Sequence, residues 1–166
     1  MLPKEIGLVV GYTGMNRRDT VFDAGTGSGI AAVYFGSIAE KVVTCEHRPD
    51  FARIARENIR DAGLGNVELV EGDMLTVKGT FDIVHLDMMI SREHIERAAG
   101  MIRPGGYLAC YTPFLEQLFL VMDVASGLFP EIHAHEAIGR EMTRTGRGTR
   151  PSTSVCHSGY LTIARM

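Results

Sequence analysis

The strongest chemical signal in this sequence is Phe22-Asp23-Ala24-Gly25-Thr26-Gly27-Ser28-Gly29, a glycine-rich turn set between an apolar run and an amphipathic one. Glycine at alternate positions lets the backbone turn tightly and pass within contact of a ligand, where a Cβ would clash. The spacing Gly-x-Gly-x-Gly, in place of Gly-x-Gly-x-x-Gly, favours an adenosyl ligand without a pyrophosphate over a dinucleotide. About 20 residues on, the next apolar run ends in Glu46-His47, where a carboxylate can take both hydroxyls of a ribose. A third run ends in Glu71-Gly72-Asp73-Met74, which puts Asp73 and Met74 beside the same crevice. Together these residues describe a seat for S-adenosyl-L-methionine (SAM), with Asp23 near the methyl donor, either binding the cofactor or ordering the glycine turn.

A fourth run ends in His85-Leu86-Asp87-Met88-Met89, where such folds place catalytic groups. Methyl transfer to exocyclic amines commonly uses an Asn/Asp-Pro-Pro-aromatic turn here, and Met88 and Met89 do not supply it. Chemistry at cytosine C5 needs a nucleophilic cysteine, yet Cys110 has the neighbours of a strand interior and reads as a packed thiol. Asp87 is the catalytic candidate: a carboxylate can accept a hydrogen bond or proton from a nitrogen gaining positive character. It also belongs to the cofactor seat, and its plainer reading is a helix cap or loop-ordering group. Tyr111, in Tyr111-Thr112-Pro113, is the second catalytic candidate, able to stack on a substrate base or simply half buried. His85 reads as a buried core histidine. Arg140, Arg144, Arg147 and Arg150 suit phosphate contacts or a solvated loop equally.

The elements that position these groups follow from hydrophobic periodicity. Apolar runs at 20–24, 42–45, 67–70, 81–86 and 106–111 alternate with amphipathic stretches at 29–39, 50–62 and 91–102. That order implies a mostly parallel sheet with helices on both faces. Asp50 is placed to cap the second of these helices, Ser91 with His94 to open the third, and Arg103-Pro104-Gly105-Gly106 to stop it. A helix over 3–12 precedes the first strand and should lie across the sheet edge, with Ile6, Val9 and Val10 inward. After a helix over 114–128, two β-like stretches at 132–140 and 157–165 should pair antiparallel through a polar loop at 142–154. The fold class is therefore α/β: a doubly wound, Rossmann-like sheet of seven strands closing in a C-terminal antiparallel hairpin. Residues 1–166 should form a single domain.

Composition limits the alternatives. The chain has 166 residues, 45% of them hydrophobic and 22% charged, the usage of one globular domain. A net charge of −3 argues against a protein wrapped in nucleic acid, while leaving room for a local basic patch. Cys45, Cys110 and Cys156 stand far apart without a CxxC and read as small buried hydrophobes, so no metal site is expected; His133 and His135 read as strand residues. Met1-Leu2-Pro3-Lys4-Glu5 is no secretory signal, and 114–128 is broken by polar residues, so the expectation is a cytoplasmic protein with no membrane partner.

The residues also resemble a family, the tRNA (adenine-N1)-methyltransferases that act on the T-loop region, within the class I SAM-dependent methyltransferases. The resemblance runs from Pro3-Lys4-Glu5-Ile6-Gly7 and Tyr12-Thr13-Gly14, through Asp23 to Gly29, to Leu86-Asp87 and Tyr111-Thr112-Pro113. It ends at Arg150-Pro151 and His157-Ser158-Gly159-Tyr160-Leu161. It implies that Gly25, Gly27 and Gly29 hold SAM, Glu46 its ribose, Asp73 its adenine, and Asp87 the target base. It implies a tRNA substrate whose base leaves its stack, and a homotetramer. Members usually carry a β-rich RNA-binding domain ahead of the Pro-Lys element, so a separate RNA-binding chain is a possible partner here. Two rival readings stand beside it: a precorrin-type small-molecule methyltransferase, similar in size and opening helix, and a non-catalytic SAM- or tRNA-binding subunit.

Overall fold

A computed structural model describes residues 1–153 and 157–166. The strand expectation for Cys156 lies outside the described residues. Five strands, β1 (Thr20–Ala24), β2 (Lys41–Glu46), β3 (Val67–Glu71), β4 (Phe81–Leu86) and β5 (Ile102–Thr112), run parallel. The last two strands of the sheet, β6 (Glu131–Glu136) and β9 (Tyr160–Arg165), pair antiparallel, as the sequence implies. Between them in the chain lie two short strands, β7 (Met142–Thr145) and β8 (Gly148–Pro151), which form a separate two-stranded ribbon where a plain loop was expected. The main sheet has the order β3-β2-β1-β4-β5-β9-β6, with β9 running against its neighbours.

The central strands β1 and β4 are buried along nearly their whole length because helices cover both faces, which is why they read as continuous apolar runs. Helices α4 (Arg92–Ala99) and α5 (Leu115–Ala125) pack Ile95, Val121 and Val124 against Phe22, Val84 and Leu86 on one face. On the other, α1 (Pro3–Thr13), α2 (Ile30–Gly36) and α3 (Pro49–Asp61) pack Ile6, Phe35 and Ile59 against Val21, Ile83 and Leu161. α1 does not lie across a sheet edge. It covers β9 and β5, whereas the edges are β3 and β6.

Three local expectations are corrected. Asp50 sits in the first turn of α3, whose cap position is Arg48 with Pro49 opening the helix. α4 stops at Gly100, before Arg103-Pro104-Gly105-Gly106. That tetrapeptide instead lies inside β5 as a bulge, since pairing jumps from Phe81↔Ile102 to Ile83↔Tyr107. Ser91 does cap α4, with the His94 ring returning to the Ser91 amide at 3.0 Å.

Two distant motifs meet beside α1. Glu5 is buried and accepts hydrogen bonds from Lys4 Nζ, Ser158 Oγ at 2.5 Å and the Leu2 amide at 2.9 Å. Burial opposes its charge, but those donors outweigh it and hold the carboxyl below its ordinary value. Nearby, the His157 ring joins Glu136 at 2.8 Å and the Pro113 carbonyl at 3.1 Å. The hydrogen bond to Glu136 raises its pKa. No helix among the described residues is long and apolar enough to cross a membrane, and no cluster of three metal-ligating side chains occurs among them.

Candidate functional site

The strand order reverses direction between β1 and β4, and the crevice outside their carboxyl ends is where open α/β sheets bind ligands. The loops there are tied into the ladder. The Gly25 amide donates to Cys45 O at 3.0 Å, Gly72 N to Glu46 O at 3.0 Å and Asp87 N to Ala24 O at 2.8 Å. Between these loops opens a cleft of about 560 Å³. Its lining includes Gly25, Glu46, His47, Asp73, Met74 and Asp87, so six residues singled out from the sequence converge on one space.

Each group of the cleft and of the glycine turn beside it has a local reason for its position. Gly25 adopts φ +88°, and a Cβ there would stand 2.1 Å from the Asp87 carbonyl oxygen. The turn is thus pressed against the β4 exit, leaving no room for a side chain. Gly27 donates its amide to Glu46 Oε2 at 2.9 Å, which couples the glycine turn to the end of β2. Gly29 opens α2 at φ +88°, where a Cβ would crowd Ala55 of α3 at 3.3–3.4 Å. Ser28 is exposed and holds the turn through its carbonyl, which accepts from Asn58 Nδ2 at 2.7 Å. Asp73 caps a 3-10 turn, accepting from the Leu75 amide at 2.9 Å, with its side chain at the cleft wall and Met74 buried behind it.

Glu46 is almost wholly buried and fully engaged. Arg48 donates its amide and Nε to Oε1 at 3.1 and 3.0 Å and its Nη2 to Oε2 at 3.3 Å. The exposed His47 ring lies 3.4 Å from Oε1. Burial works against the charge on Glu46, but the bonds from Arg48 and Gly27 prevail and keep its pKa lowered. Asp87 is part-buried; its Oδ2 accepts from the Met1 amine at 2.9 Å, and Oδ1 has no hydrogen bond among the described residues.

Of the residues singled out from the sequence, Asp23, Thr26, Gly27, Ser28, Gly29 and Tyr111 are not in the lining. Asp23 is fully buried beneath the glycine turn, accepting from Thr44 Oγ1 at 2.6 Å and bonded to His85 Nδ1 at 2.7 Å. Thr44 in turn meets Thr26 Oγ1, so Asp23 and Thr26 order the turn from below. His85 is the buried core histidine foreseen from the sequence, packed edge-on to Phe35. Tyr111 is mostly buried, with its hydroxyl donated to the Ser158 carbonyl and its ring against Gly159. Asp23→Ala will leave Thr44 and His85 without their shared acceptor, at a cost of about 2–3 kcal/mol. Urea unfolding checks this, and an unchanged midpoint would contradict the network's role.

The lining also holds groups that sequence reasoning passed over: Arg48, Met88, Met89 and His94, with Cys45 in the wall. Arg48 had a signal, an arginine two residues past a strand-end glutamate. His94 had been assigned only to its cap. The Cys45 thiol is pushed up to about 11, by burial first and then by Asp73, Glu46 and Asp23, and burial pushes Cys110 up as well. Neither thiol is a nucleophile at neutral pH. The cleft therefore presents the carboxylates of Glu46, Asp73 and Asp87 beside a wall of methionines, with Glu46 paired to Arg48 and one oxygen of Asp87 paired to the Met1 amine.

Comparisons with known proteins bear on what ligand the cleft takes. A family model described as a methyltransferase domain matches residues 21–106. TrmI of Methanocaldococcus jannaschii, a tRNA (adenine(57)-N(1)/adenine(58)-N(1))-methyltransferase, is 30% identical over 200 aligned positions, covering 100% of this chain and 71% of that protein. A protein-L-isoaspartate O-methyltransferase of Methanoculleus marisnigri is 38% identical over 71 residues, 43% of this chain and 32% of its own length. Among solved structures, the tRNA methyltransferase TrmI of Aquifex aeolicus superposes with a TM-score of 0.92 at 21% identity, over 99% of this chain and 69% of that one. A precorrin 8w decarboxylase of Methanobacterium thermoautotrophicum gives 0.87 at 21% identity, over 99% and 90%. At those identities the two superpositions speak to the fold.

Proposed function

The chain belongs to the SAM-dependent methyltransferases, in the family of the tRNA (adenine-N1)-methyltransferases, and on that premise we propose that it methylates N1 of an adenine in the T-loop region of tRNA. The observation that carries the reading is Asp87: a part-buried carboxylate at the β4 exit, in the same cleft as Gly25, with its main chain pressed against the glycine turn and one side-chain oxygen open. The cleft fits SAM in size and in its side-chain-free cradle at Gly25, and its carboxylates can accept from the hydroxyl, amino and ammonium donors of that ligand.

In this reading Gly25, Gly27 and Gly29 form the cradle, Glu46 takes the ribose hydroxyls, and Asp73 with Met74 borders the adenine. Bound SAM supplies an electrophilic methyl on a positively charged sulfur. That methyl would be transferred to N1 of the target adenine with the neutral thioether as leaving group, so the chain's task is to hold the two reactants together. Asp87 accepts a hydrogen bond from the adenine amino group, which orients the ring and offsets the positive charge that N1 methylation creates. The adenine must leave its stack to bring N1, on its pairing edge, to this depth. Asp23 and Tyr111 act by holding the surrounding loops.

Arg48 now holds Glu46 as a fork, through Nε and Nη2, in the way a ribose diol would. Its side chain is about half exposed, so the pair is worth only about 0.2–1 kcal/mol. Arg48→Ala is expected to tighten SAM binding by roughly 1.4- to fivefold in calorimetry, the same energy read as affinity. Weaker binding in the variant would mean that Arg48 contacts SAM and does not compete with it.

The same reading makes the enzyme a cytoplasmic homotetramer that binds tRNA alone or with a separate RNA-binding chain; its sedimentation mass with and without tRNA tests this. A second reading, a small-molecule methyltransferase of the precorrin type, has in its favour that the chain covers 89% of the solved precorrin-6y C5,15-methyltransferase of Geobacter metallireducens. Offering the enzyme bulk unmodified tRNA and a corrinoid precursor in parallel separates the two. Label in the RNA alone is expected, and label in the corrinoid alone would overturn the proposal.

A further inference from the structure

We propose that the β7–β8 ribbon is an RNA-backbone clamp, with Arg144, Arg147 and Arg150 contacting phosphates of the tRNA substrate; this rests on the functional reading above. The ribbon is built from Met142↔Pro151 to Thr145↔Gly148, closed by a two-residue turn at Gly146-Arg147. Every residue from 138 to 151 is exposed, and none contributes to either core cluster. A two-stranded hairpin without a packed face is marginal in water. Its burial is left to something outside this chain's core.

Charge says what that is. In the body, Arg48, Arg53, Arg56, Arg60, Arg92 and Arg103 each face a carboxylate, Arg97 donates to the Val77 carbonyl and Arg165 lies over the Tyr107 ring, while Arg17 and Arg18 have no carboxylate partner among the described residues. Arg140, Arg144, Arg147 and Arg150 have no carboxylate partner among the described residues, and Glu141 is the only acid from 138 to 151 in a chain of net charge −3. Positive charge is thus concentrated on the one element that has no core. The register alternates the guanidinium groups: Arg144 shares a face with Thr149, Arg150 shares the opposite face with Thr143, and Arg147 takes the tip. A ribbon with arginines on both faces and at the tip matches a polyanion that passes around it, and threonine hydroxyls alongside add uncharged donors to phosphate oxygens. Nothing in this pattern reads base edges, so the clamp would position tRNA and leave selection of the adenine to the cleft.

The test is the salt dependence of binding to unmodified tRNA, for the full chain, Arg144→Ala/Arg147→Ala/Arg150→Ala and the corresponding triple lysine variant. Each lost phosphate contact should take about 0.7–0.9 off the slope of log affinity against log salt. The alanine variant is expected to lose about two units of slope and on the order of 10- to 100-fold in affinity, with SAM affinity unchanged. The lysine variant should keep the slope, which separates charge from a folding defect. If the wild-type enzyme methylates tRNA but the alanine variant keeps its slope, the clamp is wrong and the functional reading survives. If both triple variants lose binding together with a change in sedimentation mass, the ribbon grips a second copy of the chain and the clamp is likewise overturned. A wild-type enzyme that binds no tRNA would sink the functional reading first, and this inference with it.

Discussion

Asp87→Ala will lower kcat/KM for tRNA by about 10²- to 10⁴-fold, the range for removing a positioned acid–base group. That corresponds to roughly 3–5 kcal/mol of transition-state stabilisation. The size follows from location: the carboxylate sits at the β4 exit with Oδ1 open, in the cleft that Gly25, Glu46 and Asp73 also line. Its charge is of most use when the adenine becomes cationic, so the loss should fall mainly on kcat. Asp87→Asn, which keeps the acceptor oxygen but removes the charge, should recover part of the rate. Single-turnover methylation with SAM saturating reads this directly, and a rate within twofold of wild type would mean that Asp87 only orders the loop.

Gly25→Ala is expected to abolish SAM binding, with an affinity loss of at least about 100-fold, or about 2.7 kcal/mol. The added Cβ would stand 2.1 Å from the Asp87 carbonyl oxygen and 2.7 Å from its carbonyl carbon, both main-chain atoms that cannot swing aside. The backbone there also has φ +88°, which an L-residue adopts only at a cost. One methyl group therefore pushes apart the glycine turn and the loop that carries Asp87. Calorimetry with SAM, alongside a thermal melt to show that the fold survives, checks the outcome. Binding at wild-type affinity would contradict the cradle.

How far the sequence revealed this arrangement differed from element to element. β1 and β4 were legible to the residue, because strands buried on both faces must be short, continuous apolar runs bounded by turn residues. The start of β5 at Ile102 was not, since Pro104-Gly105 reads as a stop and only the register jump against β4 reveals a strand that carries a bulge. The β7–β8 ribbon was hidden for another reason. Its pairing is local, with no face to bury and hence no alternation of apolar residues to read.

In the cleft, the strand-end acids and the glycine turn were readable because their spacing follows from the βαβ geometry itself. Long-range partners were not: the Asp23–Thr44–Thr26 network and the Arg48 fork on Glu46 depend on register between β1 and β2 and on a side-chain rotamer. Tyr111 shows the same limit. An end-of-strand tyrosine on the active edge looks available for substrate, yet the chain returns through Ser158-Gly159 and takes up its hydroxyl and one face of its ring. The ends of the chain carried more information than their lengths suggest, because Lys4 and Glu5 meet Ser158 across more than 150 positions in part-buried hydrogen bonds.

The most direct test of the central claim is transfer of radiolabelled methyl from SAM to unmodified tRNA, followed by digestion and nucleoside analysis. The account predicts label in 1-methyladenosine from the T-loop region. Label in any other nucleoside, or none with SAM binding intact by calorimetry, would contradict it.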